Sequence, residues 1–344
     1  MIFQEQVPLA PYTTLGIGGP ARWFVEAASE AEIVDAVSWA SEHSLPLFVL
    51  GGGSNLLVSD AGFGGLVLRV AVKGETFNED AGGRVYRVAA GEDWDGFVER
   101  AVQANCSGIE CLAGIPGTVG GTPVQNVGAY GQEVSETIEQ VRVLDLETLS
   151  FREMCAAECG FAYRISVFNS TAKGRFLVVR VDYRLKPGGK PNLRYADLQK
   201  AYPAGSEPTL AKVAQTVRRI RQSKGMLLVD GDEDCRSAGS FFKNPIISAD
   251  HFLELAAKLG AEPPHYPAGD GQVKLPAAWL IEKSGFTKGF ALGRVGISSL
   301  HTLALVNRGG ATASEILALR DVIVKGVEAK FGIALQMEPV LLGF

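Results

Sequence analysis

Residues 114–131 read GIPGTVGGTPVQNVGAYG and contain six glycines, two prolines and no charged side chain. A flexible linker would be polar and rich in serine, so this composition predicts a structured loop. Its small, neutral side chains would let the backbone press against a flat, uncharged ligand such as a heterocyclic ring. The loop therefore predicts part of a ligand site.

A second glycine cluster lies upstream, where residues 50–56 read LGGGSNL directly after an apolar strand predicted over 47–50. Three consecutive glycines allow positive φ and can aim successive backbone N–H groups at one point, which makes a nest for an anion. A tight turn needs only one or two glycines, so the excess favours a pyrophosphate. Together the two clusters predict a dinucleotide that is bound without a Rossmann fold.

A third motif, GIGGPA at 16–21, has the spacing G-x-G-x-x-A. A Rossmann fingerprint must follow a strand and open a helix. Here two threonines precede the motif, and Pro20 and WFVE at 23–26 follow it, which predicts a loop and then a strand. The chain has no P-loop, zinc-hydrolase or serine-hydrolase motif, and its four histidines are dispersed.

The composition narrows the class of protein. With 344 residues, 47% of them hydrophobic, and a formal charge of -5, the chain predicts two or three globular domains and lacks a basic nucleic-acid footprint. No apolar run reaches the roughly 18 residues of a membrane span, and residues 1–12 do not read as a signal peptide. The five sparse cysteines predict reduced thiols in a cytoplasmic protein without a metal site.

Hydrophobic periodicity predicts four helices, over 29–44 with Ser29 as cap, 94–104, 209–224, and 314–331 with Ser314 as cap. Strands are predicted over 47–50, 56–58, 66–70, 85–89, 141–146 and 176–185, and the tail 333–344 is predicted to be extended. The cations at the end of the third helix fit the helix dipole; they are Arg218, Arg219, Arg221 and Lys224.

The ordered set of motifs resembles the UDP-N-acetylenolpyruvoylglucosamine reductase (MurB) family over nearly the whole chain. The matching segments are TTLGIGG at 13–19, the two glycine clusters, GFAYR at 160–164, AGSFFKNP at 238–245 and AAWLI at 277–281. The resemblance implies an α+β fold, with a two-part FAD-binding domain of vanillyl-alcohol oxidase type and a separate α/β substrate-binding domain.

The family organisation implies the following boundaries. Residues 1–70 form the first FAD-binding subdomain and 71–207 the second, and the tail 333–344 returns to this FAD-binding domain. Residues 208–332 form the substrate domain, and the active site lies where these parts meet.

The resemblance also implies an activity, the NADPH-dependent reduction of an enolpyruvyl ether on UDP-N-acetylglucosamine. Non-covalently bound FAD would take a hydride from the co-substrate NADPH and pass it from N5 to the methylene carbon. Arg164 and a protonated Glu338 would stabilise the enolate, and Ser240 would donate the proton. Taken singly, Arg164 could be a surface ion pair, Ser240 a turn residue and Glu338 a solvated charge.

Binding residues follow from the matched motifs. Substrate contacts are expected at Tyr130, Tyr195, Lys224 and Asn244, although Tyr195 could also be a packing residue. FAD contacts are expected at Gly51, Gly52, Gly53, Ser54, Asn55, Leu56, Ile115, Pro116, Gly117, Thr118, Gly120, Gly121, Thr122, Asn126, Gly128 and Ala129. The implied partners are the nucleotide sugar and NADPH, with no nucleic acid, membrane or obligatory protein partner.

The chain departs from the family pattern in two places. Val340 stands where a family arginine follows the catalytic glutamate by two residues, so that cation is missing or is supplied by another residue such as Arg294. The loop at 225–239 is also longer and more acidic.

Two alternative functions remain open at this stage. One is an oxidase of alcohols or lactones on the same fold, with FAD tethered covalently through histidine or cysteine. The other is a non-catalytic binder of nucleotide sugars.

Overall fold

The computed structural model describes residues 1–229 and 231–344; Asp230, in the acidic loop, lies outside the described residues. The chain divides into two compact units. The first consists of Met1–Val7, Pro20–Gly53 and Phe63–Gln222, and the second of Pro8–Gly19, Ser54–Gly62 and Ser223–Phe344. The three-part division expected from the sequence stays a prediction.

The chain contains both helices and strands, as the α+β class requires. The helices are α1 Glu30–Glu42, α2 Trp94–Gln103, α3 Ala196–Ala201, α4 Leu210–Ser223, α5 Ala249–Leu259, α6 Ala277–Lys283 and α7 Ala313–Phe331. The strands are β1 Gln4–Pro8, β2 Pro20–Ala27, β3 Leu47–Leu50, β4 Leu56–Val58, β5 Phe63–Val70, β6 Glu75–Asp80, β7 Gly83–Ala89, β8 Cys106–Ser107, β9 Gly128–Ala129, β10 Gln132–Glu133, β11 Ile138–Asp145, β12 Ser150–Cys155, β13 Phe176–Pro187, β14 Ile246–Ser248, β15 Tyr266–Pro267, β16 Gln272–Lys274, β17 Ala291–Leu292, β18 Val295–Ile297, β19 Leu305–Asn307 and β20 Val340–Leu342.

The first unit contains a four-stranded sheet in the order β1-β2-β5-β3, in which β2 and β3 run parallel to β5. Helix α1 packs on this sheet and begins at the predicted cap, where the Ser29 hydroxyl accepts the Glu32 N–H at 3.2 Å. Its buried face includes Ile33 and Ala36. The strand β2 begins at Pro20, within the GIGGPA motif, and a strand rather than a helix therefore follows the glycines, which confirms the predicted loop and strand.

The second sheet of this unit is antiparallel, in the order β12-β11-β13-β7-β6, with β8 paired to β13. Helix α2 buries Trp94 and Phe97 against Tyr183 of β13, with ring centroids 5.7 and 5.2 Å away. Side chains of α1, α2, α4 and both sheets join one apolar core. This core packs against β3, after which the first glycine cluster begins, and it contains Leu112 and Ala113, which directly precede the second cluster.

The second unit contains two three-stranded sheets, in the orders β14-β16-β15 and β17-β18-β19, and three helices. Its core gathers α6, α7 and β18 around side chains such as Leu280, Ile323 and Val295. The predicted extended tail forms β20, which pairs in parallel with β4. None of the helices in the described chain combines the length and apolar character needed to cross a bilayer.

The start of α7 differs from the prediction. Thr312, and not Ser314, is the cap: its hydroxyl accepts the Glu315 N–H, and the Glu315 carboxylate accepts the Thr312 N–H. Ser314 lies in the first turn, where its hydroxyl donates to Asp60 Oδ2 at 2.7 Å. Asp60 also accepts the Ala313 N–H at 2.6 Å, so this carboxylate satisfies donors that a helix start leaves open.

We predict that Asp60→Asn lowers the free energy of unfolding by about 0.5–1 kcal/mol at pH 7, because the solvent-exposed carboxylate caps α7. Partial burial raises the pKa of Asp60, but hydrogen bonds from Ser314 and Ala313 outweigh it and bring the pKa below its ordinary value. The difference from wild type is therefore expected above pH of about 4 and disappears as the pH falls through the folded pKa.

Urea unfolding at pH 7 and pH 3 measures this difference. The control is Asp321→Asn, which removes an exposed carboxylate of α7 that pairs only with adjacent Arg320 among the described residues. A loss of equal size for both variants at pH 7 would contradict the capping role.

Candidate active site

The two glycine clusters meet backbone to backbone in the first unit. A methyl group placed on Gly52 would lie 2.5 Å from Gly117 Cα, and one on Gly51 would lie 2.8 Å from Thr118 Oγ1. Gly53 has φ of +62°, which side chains rarely tolerate. Only glycine at these positions allows the two loops to approach so closely.

Backbone donors are concentrated at this contact. The N–H groups of Gly52, Gly53, Gly117 and Thr118 donate to no other residue in the described chain. Gly53 is buried and Gly117 and Thr118 are half-buried, whereas Gly52 is exposed. Buried or half-buried amides without acceptors are costly, and a group of N–H donors that point to one place forms an anion nest. The donor set therefore fits a pyrophosphate, which supports FAD contacts at these four residues.

The middle of the second cluster holds the loop in place. Val119–Gly121 forms a 3-10 turn, and the Gly120 N–H donates to Ala90 O at 2.9 Å. The buried Thr122 hydroxyl lies 2.6 Å from the Tyr183 hydroxyl. By contrast, a methyl group on exposed Gly121 would meet nothing within 4 Å. Gly120 and Thr122 thus support the loop, while Gly121 faces open space.

Arg164 lies against the end of the same loop. Its Nη2 donates to Gly128 O at 2.6 Å, and its Nη1 donates to Asn126 O at 3.4 Å. Arg164 itself has φ of +58°, and its carbonyl accepts a hydrogen bond from Asn169. Asn126 is buried and donates to Glu133 and to Ala162 O. The loop geometry therefore fixes the plane of the Arg164 guanidinium.

Tyr130 and Tyr195 come together in the first unit, with ring centroids 5.3 Å apart and planes at 81°. Behind Tyr130 lies Arg221, which is 6% exposed and donates from Nε to Gly114 O at 2.9 Å. Burial lowers the pKa of the Arg221 guanidinium, and a hydrogen bond to Tyr130 opposes that shift. The structure therefore places the buried guanidinium of Arg221 against the second glycine cluster.

From the sequence, Arg221 is predicted only to interact with the dipole of α4, and its burial is not predicted. The position of Arg221 in the sequence could have indicated its burial, because it follows Val213 and Val217 at intervals of four, on the buried face of α4. A charged residue in such a row is costly to bury unless it has polar partners.

Ser240 and Glu338 are brought together in the second unit. The Glu338 N–H donates to Phe241 O at 2.9 Å, and Phe242 pairs with Met337 in an antiparallel bridge. The rings of Phe241 and Phe242 are buried and anchor this pair of segments. The Ser240 hydroxyl makes no hydrogen bond with another described residue.

Two further expected site residues lie in this unit. Asn244 Oδ1 accepts the Ala277 N–H at the start of α6, and its amide nitrogen donates to no other described residue. Lys224 directly follows α4. Burial, together with the charges of Lys224 and Lys288, lowers the pKa of His301 to about 4, so that imidazole is neutral near pH 7.

The structure shows the surroundings of the two places where the chain departs from the family pattern, position 340 and the acidic loop at 225–239. Val340 lies in β20, and Arg294 forms an ion pair with Glu315 at 3.0 Å. In the acidic loop, burial raises the pKa of Asp234, but hydrogen bonds from Ser299 outweigh it and hold the pKa below its ordinary value. That carboxylate therefore anchors its loop to residues 298–299. Within the described residues, no group of His, Cys, Asp or Glu could hold a metal ion.

Comparison with known proteins extends this picture. Residues 21–148 match a family model described as an FAD binding domain, and residues 231–342 match the C-terminal domain of UDP-N-acetylenolpyruvoylglucosamine reductase. A reductase of that name from Thermobifida fusca is 50% identical, covering 99% of this chain and 98% of the relative. One from Streptomyces coelicolor is 46% identical, covering 98% and 90%.

The fold is shared as well. The crystal structure of UDP-N-acetylenolpyruvylglucosamine reductase (MurB) from Thermus caldophilus matches with a TM-score of 0.68 and 28% identity, over 99% of this chain and 100% of that one. The expected combination of an FAD-binding domain with a separate C-terminal domain is thereby confirmed. This chain belongs to the UDP-N-acetylenolpyruvoylglucosamine reductase family and is an FAD-dependent oxidoreductase.

Proposed function

We propose that the protein reduces the enolpyruvyl ether of UDP-N-acetylglucosamine to UDP-N-acetylmuramate, with NADPH as the reductant, in peptidoglycan precursor synthesis. The observation that carries the proposal is the similarity over the whole chain to reductases of that name, with every matched motif present in order. When bound, the flavin supplies the hydride that adds to the methylene carbon of the substrate.

The flavin nucleotide would be held mainly by main-chain groups. The N–H groups of Gly52, Gly53, Gly117 and Thr118 suit its pyrophosphate, and the exposed face at Gly121 suits a flat ring. In the second unit, Asn55 donates to Glu338 O at 3.3 Å. This contact links a residue expected to hold the cofactor with a residue expected to act on the substrate.

Hydride addition moves the electron pair of the carbon–carbon double bond toward the carboxylate, which gives an enolate. Arg164 would hold this carboxylate, because a planar guanidinium offers paired donors to two oxygens. Its plane is already set by the carbonyls of Gly128 and Asn126. Such preorganisation favours charge that develops during the reaction.

Ser240 would protonate the carbon beside the carboxylate, which completes the reduction. Its hydroxyl has no partner among the described residues, and the preceding Gly239 has φ of +71°, which sets a sharp turn. Glu338, in its protonated form, would donate a second hydrogen bond to the enolate. The backbone bond between Glu338 and Phe241 holds these two segments side by side.

The nucleotide sugar would be bound by Tyr130, Tyr195, Lys224 and Asn244. Lys224 contributes a cation suited to the diphosphate, and Asn244 contributes an amide nitrogen with no partner in the described chain. The ion pair of Arg294 with Glu315 gives no support to Arg294 as the substitute for the missing family cation.

We predict that Gly52→Ala weakens FAD binding at least about tenfold, since its methyl group would collide with the Gly117 backbone and disturb the amide nest. Flavin absorbance after gel filtration and titration of the apoprotein with FAD measure this loss. The control is Gly64→Ala, where a methyl group on an exposed strand position meets nothing within 4 Å. Unchanged FAD affinity in Gly52→Ala would argue against the nest.

Loss of the proton donor gives a second prediction. Ser240→Ala should lower kcat by about 10²- to 10⁴-fold, a range typical of general acid catalysis, while reduction of the flavin by NADPH proceeds at the wild-type rate. Stopped-flow absorbance separates the two half-reactions.

Ser240→Cys is the matched control for this experiment. It keeps an ionisable proton at the same position and should retain more turnover than Ser240→Ala. Equal slowing of both half-reactions in Ser240→Ala would contradict the assignment. Failure of the wild-type protein to oxidise NADPH when given the enolpyruvyl nucleotide would refute the proposed function itself.

A further inference from the structure

A buried carboxylate lies behind the segment that carries Tyr195. Glu110 is completely buried, and its Oε1 accepts hydrogen bonds from Gln132 Nε2 at 3.0 Å and from the Asn192 N–H at 2.8 Å. Its Oε2 accepts the Gly108 N–H at 2.8 Å. Burying a carboxylate is costly unless several donors converge on it, and three donors converge here.

Asn192 connects this carboxylate to the chain around it. Its Nδ2 donates to Gly131 O at 2.9 Å, and its Oδ1 accepts the Arg194 N–H at 3.0 Å. Its carbonyl accepts a hydrogen bond from Cys111 Sγ at 3.3 Å. Burial, and then the charge of Glu110, raise the pKa of the Cys111 thiol well above its usual range, so this thiol stays protonated and can donate.

The same contacts determine where Tyr195 lies. Gly131, whose carbonyl accepts the hydrogen bond from Asn192, directly follows Tyr130. A methyl group on Gly131 would lie 3.7 Å from the backbone nitrogen of Tyr195. The Tyr195 ring is 41% exposed and meets Tyr130 edge to face. Segment 190–195 has no regular secondary structure, so side-chain hydrogen bonds must hold it.

We infer that Glu110 is a positioning residue, which through Asn192 fastens segment 190–195 to the end of the second glycine cluster and so presents Tyr195 to the nucleotide sugar beside Tyr130. This inference rests on the proposed function only for the substrate that Tyr195 meets. Glutamine could not replace Glu110, because its one carbonyl oxygen cannot accept from three donors and its NH₂ would face one of them.

The test compares Glu110→Gln with wild type as FAD-loaded enzymes. We expect the KM for the enolpyruvyl nucleotide to rise about tenfold, the size expected for losing one hydrogen bond to a charged group, with kcat changed less than about twofold. Flavin reduction by NADPH at saturation should be unaffected. Hydrogen–deuterium exchange of the amides in 190–195 should be faster, and this readout needs no substrate.

A double-mutant cycle with Tyr195→Ala separates positioning from general destabilisation. If Glu110 acts through Tyr195, adding Glu110→Gln to Tyr195→Ala should leave the KM almost unchanged. Additive effects, or unchanged exchange in segment 190–195, would overturn the inference. If the nucleotide is not a substrate, the proposed function fails, and the exchange measurement alone decides whether Glu110 fastens the segment.

Two further variants complete the design. Glu136→Gln is the matched control, because this exposed carboxylate lines a surface pocket together with Glu110 and Asn192 but accepts no hydrogen bond in the described chain. It should behave as wild type.

Should Glu110→Gln fail to fold, Asn192→Ala takes its place. This substitution removes the hydrogen bond to Gly131 O from a half-buried position. It must raise both the KM for the enolpyruvyl nucleotide and the rate of hydrogen–deuterium exchange in segment 190–195.

Discussion

The close backbone approach of the two glycine clusters is the constraint on which the proposed flavin site depends. Gly52 and Gly117 lie so near each other that neither a side chain nor a water layer separates the loops. The amides that find no acceptor among the described residues at this contact carry a concentrated positive field without any charged side chain. A neutral loop with such amides can bind a pyrophosphate and still lie flat against a ring.

Buried polar side chains hold these loops because regular secondary structure cannot. Thr122 bonds to Tyr183 of the antiparallel sheet, and Arg221 of α4 bonds to Gly114 O. Glu110 does the same for segment 190–195. Each such group loses hydration on burial and is stable only with its full set of partners, so each one specifies a single loop conformation.

The sequence predicted four of the seven helices in the described chain, because periodicity and caps act locally, but it missed α3, α5 and α6. Helices α1, α2 and α4 and strands β3, β4 and β5 lie where the pattern placed them. The start of α7 was wrong by two residues, because Thr312 and Ser314 are both acceptable caps and distant Asp60 engages Ser314. Arg221 was misread, because a cation at a helix end has a local explanation that hides its burial.

By itself, the sequence determined the family, and it supplied the loops proposed to bind flavin and the residues proposed for the reaction, since these depend on short motifs in a fixed order. Only the tertiary structure decided which glycines touch, which amides lack acceptors and which buried polar groups position the loops. These properties depend on contacts between segments far apart in the chain, such as Glu110 with Asn192. No local pattern encodes the partner of a buried donor or acceptor, because that partner is set by how the sheets and helices pack.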